Sequence, residues 1–112
     1  MTESAIQQIE SNIRQSKKIV EFGDAIERLR NNRDFKRVVI EGYFEQEAIR
    51  LVHLKADSNM QSPEAQKSIL SQLDAIGTFS QYLQANVTLA HMAGKAIEAD
   101  EQTRDELVVE GL

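Results

Sequence analysis

Apolar residues return along this chain at intervals of three and four. Ile6, Ile9 and Ile13 form one such stripe, which predicts a helix. Ser4 and Gln7 stand in the spacing of a capping box, so the helix is expected to start near Ser4. The stripe resumes at Ile19, Phe22, Ile26 and Leu29 after a polar stretch. The longer step from Ile13 to Ile19 rotates it around the helix, so the two halves are expected to face different neighbours. One helix to about Arg30 accommodates both. Gly23 lies inside it at a cost of about 1 kcal/mol relative to Ala, and a close helix contact there would be a reason to keep it.

Asn31-Asn32-Arg33-Asp34 reads as a turn, with Asp34 placed to cap the next helix. A second helical stretch is expected from Phe35 to Ala56; of a single kinked helix and a break near Gly42 with a new helix from about Phe44, the break is the expected form. Val38-Val39-Ile40 is β-prone, but no second strand is present to pair with it. Asp57 to Gln61 reads as a loop. Ser62-Pro63-Glu64 then supplies a cap, a proline at the first helical position and an acid in the first turn.

The third stretch carries the strongest pattern. Ile69, Leu73, Ile76, Ser80, Leu83, Val87, Ala90, Gly94 and Ile97 alternate in steps of four and three, a coiled-coil heptad register. Phe79, Tyr82, Asn86, Leu89, Ala93 and Ala96 form a second stripe beside it. Between Lys67 and Lys95 the only charged side chain is Asp74. An outward helix face normally carries charge, so this helix is expected to be covered on more than one side. Gly77 is the position that would divide it. After Ile97 the pattern fades towards an acidic end, with Leu107, Val108 and Val109 as a small apolar anchor.

These stretches predict an all-α fold. Two long helices pack antiparallel as a helical hairpin or bundle, and a shorter broken helix caps them. Residues 1–100 form one domain and 101–112 an acidic tail. Composition agrees: one proline and 5% aromatic residues suit long helices with a thin aliphatic core. The net charge is −5, and the segment 98–112 holds Glu98, Asp100, Glu101, Asp105, Glu106 and Glu110 against Arg104 alone. The opposite pole is Arg28, Arg30, Arg33, Lys36 and Arg37.

Candidate chemistry is sparse. There is no cysteine, which removes thiol, disulfide and iron–sulfur chemistry. His53 and His91 lack an acid three residues earlier, so the metal motif of carboxylate bundles is missing. The scattered glycines build no phosphate loop, and no GxSxG elbow occurs. Residues 69–87 loosely match a helix-turn-helix, but Thr78 to Val87 contains no Arg or Lys to hold phosphates. These absences point away from an enzyme and imply no metal or cofactor. No leader segment and no apolar run of membrane-spanning length is read, so no membrane partner is expected.

The blocks NNRDFKRVVIEGYFEQEAIRLVHL and SPEAQKSILSQLDAIGTFSQYL resemble small, mostly uncharacterised α-helical proteins of tailed bacteriophages. The similarity covers roughly residues 18–106 and is strongest from Asn32 to Tyr82. Members of that group tend to lie among phage structural and assembly genes. The resemblance therefore implies a phage origin, a place in the host-cell cytoplasm or on the virion, and a role in assembly or as an accessory factor. It supplies no catalytic or binding residues.

The expected function is a non-enzymatic assembly protein acting through helix-mediated self-association or partner binding. The expected seam is Ile69, Leu73, Ile76, Ser80, Leu83, Val87, Ala90 and Ile97, and the partner is this chain itself or another phage structural protein. The alternative is contact with a host protein or nucleic acid through the basic residues Arg28, Arg30, Arg33, Lys36 and Arg37. Their ordinary role would be to solvate a helix end and offset its dipole.

Overall fold

The computed structural model describes residues 2–111; Met1 and Leu112, the outermost residues of the expected domain and tail, lie outside them. Helix α1 spans Thr2–Asn31. Helix α2 (33–55) is continuous but changes its winding: Arg33–Phe35 is α-helical, Lys36–Glu47 is π-wound and Ala48–Lys55 is α-helical again. A 3-10 turn at Ser58–Met60 leads into α3, Pro63–Glu110. No strand occurs among the described residues. The fold is all-α, with two long helices packed together and a shorter middle helix.

Local chemistry sets most of the boundaries. Ser62 Oγ accepts from the Ala65 N–H at 3.2 Å, as its capping position predicts. Asn32, rather than Asp34, caps α2: its Oδ1 accepts from the Phe35 N–H at 2.9 Å. Ser4 lies inside α1, so the expected capping box at Ser4 and Gln7 does not start the helix. The α2–α3 turn is closed by two glutamine amides. Gln61 Nε2 donates to the Lys55 and Asp57 carbonyls at 2.9 and 2.7 Å. Gln66 Nε2 donates to those of Lys55 and Met60 at 3.0 and 2.7 Å. The bonds to Lys55 and Met60 take up carbonyls that the end of a helix otherwise leaves unpaired.

Neither internal glycine ends its helix. The break expected near Gly42 is absent, since the helix runs through it with the wider π winding of Lys36–Glu47, and Gly77 lies within an unbroken α3. A Cβ on Gly77 would meet nothing within 4 Å, so no contact requires glycine there. The residues expected to fray from Glu98 onward are helical through Glu110, with Glu101, Arg104 and Leu107 half-buried.

The chain divides into two compact units. The first joins residues 2–27 to 85–111, and the second is 28–84. In the first, α1 and α3 run antiparallel: Gly23 faces Ala90, and Thr2 lies beside Gly111. A Cβ on Gly23 would overlap the Cβ of Ala90. The close helix contact anticipated at Gly23 is therefore present, and Ile13, Ile26, Val87 and Ala93 are buried in the same unit. In the second unit the core is built from larger groups. Leu51 and Ile69 are fully buried, Ile76 is nearly so, and Tyr43, Phe44, Leu54, Met60 and Leu73 pack against them. Phe44 and Phe79 meet edge-on, with ring centroids 5.4 Å apart.

Candidate functional site

The heptad stripe of α3 points into the chain. Ile69, Ile76, Leu83, Val87 and Ala90 are buried, and Leu73, Ser80, Gly94 and Ile97 are half-buried. In the second unit the stripe meets Leu51 and its neighbours, and in the first it meets α1 at Gly23. The seam expected to receive a second chain is therefore covered by this one. A periodic stripe specifies a helix face but not what covers it.

What stays open is the second stripe. Tyr82 and Leu89 are 53% and 50% exposed, although a helix with this little charge was expected to be covered there too. In the first unit, the two flanks of the α1–α3 pair differ in chemistry. One flank is a groove lined by Val20 and Asp24 from α1 and by His91, Gly94, Lys95 and Glu98 from α3. Residues of a helix advance by about 100° each, so Ile19, Phe22, Leu89 and Ala96 fall on the opposite flank. Ile19 is 42% exposed and Phe22 47%. Gln15 from α1 and Asn86 from α3 supply the polar groups beside them. This flank is the more apolar of the two, with Lys18 four residues before Phe22 and Asp100 four after Ala96 at its edges, whereas the groove flank carries both signs along its length.

The basic residues occupy the second unit, on either side of the α1–α2 junction. Arg28, Arg33, Lys36 and Arg37 are exposed. Arg30 is half-buried and its Nη2 donates to Gln84 Oε1 at 3.4 Å, which ties one member of the cluster to α3. Leu29 and Val38 are exposed among these cations.

The acids at the end of α3 form the third surface. Glu98, Glu101, Asp105, Glu106 and Glu110 line a shallow groove with Gln102 and Val109. Gln102 Nε2 donates to Glu106 Oε1 at 3.3 Å, and Arg104 Nε pairs with Asp105 Oδ1 at 3.3 Å.

Other candidate chemistry is dispersed. His53 and His91 are both exposed and lie in different units. No group of three His, Asp or Glu side chains positioned to hold a metal occurs among the described residues. No helix among them is long and apolar enough to cross a membrane. The hydrogen bond from Arg50 to Glu47, with Nε 2.5 Å from Oε1, lowers the Glu47 pKa and raises that of Arg50; this is a surface pair within one helix.

Comparison with protein families, curated proteins and solved structures finds no match. The functional reading therefore rests on these three surfaces. The flank centred on Phe22 and Leu89 is half legible in the sequence: the second stripe of α3 stands out, but its α1 half merges with the core stripe.

Proposed function

We propose that this chain is a non-enzymatic association protein whose two-helix unit pairs with a second copy through the apolar flank. The observation that carries the reading is the exposure of Ile19, Phe22 and Leu89 on one charge-poor side of the α1–α3 pair. A lone pair of helices can bury only the stripe between them. Two such pairs placed flank to flank bury the neighbouring stripes as well and build a four-helix core.

A charge-poor flank favours a like surface over a charged partner, because burying an unpaired charge is costly. An assembly or accessory role in a tailed phage is the biological setting that the sequence resemblance suggests for such a dimer.

The test is the solution mass by light scattering after size exclusion at two concentrations. At about 500 mM salt, where surface charges are screened, the expected mass is twice 12.7 kDa. Phe22→Glu with Leu89→Glu should return it to a single chain while the helical circular dichroism signal is kept. A wild-type chain that is monomeric at both concentrations would refute the pairing.

A further inference from the structure

The basic and acidic surfaces remain outside the flank. The basic residues gather at one helix junction in the second unit, and the acids along one helix end in the first. Cations at the end of α1 oppose its dipole favourably, so part of the basic cluster needs no partner. Arg33, Lys36 and Arg37 fall outside that explanation, because they sit at the start of α2, where the dipole repels cations.

The acids are placed just as unfavourably. Negative charge at a helix C-terminus is repelled by the dipole. Glu101 with Asp105, and Glu106 with Glu110, are like charges at the spacing that brings side chains together. Arg104 is the only cation in the segment. Each surface also holds an exposed valine among its charges: Val38 is 66% exposed beside Arg37, and Val109 is 70% exposed between Glu106 and Glu110. Two surfaces of opposite sign, each with an apolar centre, fit the layout of a charged rim around a desolvated contact.

We infer that the basic junction, Arg33, Lys36 and Arg37 around Val38, is a second docking surface, and that its occupant is the acidic end of α3 of another copy. This rests on the self-association reading and adds a different contact to it. The two surfaces are unlike, so the contact is heterologous and can repeat from copy to copy. Flank pairing makes a dimer, and the charged contact joins dimers into larger assemblies. Its attraction is between exposed charges, so salt weakens it, whereas the apolar flank is insensitive to salt.

Light scattering at about 50 mM and about 500 mM salt separates the two contacts. The wild-type mass should rise beyond the dimer at low salt and return to the dimer at high salt. Arg33→Glu with Arg37→Glu should hold the dimer at both, and so should Glu101→Lys with Glu106→Lys. Mixing these two reversed proteins in equal amounts should restore growth at low salt, since each then offers the sign the other lacks. Growth of either reversed protein alone to the wild-type extent would overturn the inference, as would a mixture that stays dimeric. It would also fall if Arg33→Glu with Arg37→Glu lost binding of a single-stranded oligonucleotide while assembling like the wild type, because the junction would then serve a polyanion. In the Phe22→Glu, Leu89→Glu background the salt-sensitive step should persist, starting from single chains. A wild-type monomer that still grows at low salt would thus sink the flank pairing and leave the charged contact standing.

Discussion

In the unit formed by residues 2–27 and 85–111, α1 and α3 meet through Gly23 and Ala90, whereas in residues 28–84 α2 and α3 meet through Leu51, Ile69, Ile76 and an aromatic group. The same helix α3 serves both units but is packed by opposite means. Where the side chains are smallest, the backbones come close and little apolar area is needed to fill the gap. Where the side chains are large, the helices are held by interdigitated bulk. The difference shows which substitutions each unit tolerates: the first is intolerant of added atoms, the second of removed ones.

The largest effect is expected from deletion in the second unit. Leu51→Ala leaves a cavity beside Ile69 and should cost about 2–5 kcal/mol in chemical denaturation. An effect below about 1 kcal/mol would mean that α2 can collapse onto α3, and that the unit is not held by bulk.

Addition in the first unit comes next. Helix propensity alone predicts that Gly23→Ala stabilises by about 1 kcal/mol. The new Cβ would overlap that of Ala90, so the expected outcome is a loss of about 1–3 kcal/mol. Pairing it with Ala90→Gly removes the overlapping atom. The neighbours then nearest the new Cβ, the Ala90 Cα and the Asn86 carbonyl, lie at 3.6 Å, an ordinary contact. The double variant should therefore recover most of the loss in thermal melts, and a failure to recover would deny the close approach.

The smallest effect sharpens the contrast. Gly77→Ala places its Cβ in open space, so propensity should act unopposed and raise stability by about 1 kcal/mol. Destabilisation there would mean that α3 uses Gly77 for a contact that a single chain does not make.

Much of this architecture was legible in the sequence. Ser62-Pro63-Glu64 marked the start of α3, and the spacing from Ile69 to Ile97 gave its inward face. Gly42 was harder, because a glycine after a β-branched run weakens α-helix without saying whether the chain will break or rewind. Gly77 suggested a break, but its cost is small beside what a long packed helix supplies. The end of α3 was masked by its charges: Glu98 to Glu110 reads as a fraying tail, although Leu107 continues an inward stripe. The exposed flank was the least legible, since Ile19 and Phe22 lie in the same helical period as the buried Ile26.

The contact between Gly23 and Ala90 has a consequence for how this protein can diverge. One Cβ fits in the space between those two backbones, and a second does not. The two positions therefore share a single vacancy, which either can fill but not both. Descendants of this chain should keep the pair as it stands or exchange its members together. A lineage crossing from one arrangement to the other would pass through the less stable overlap or through two facing glycines, so the exchange should be rare even where the neighbouring surface residues drift freely.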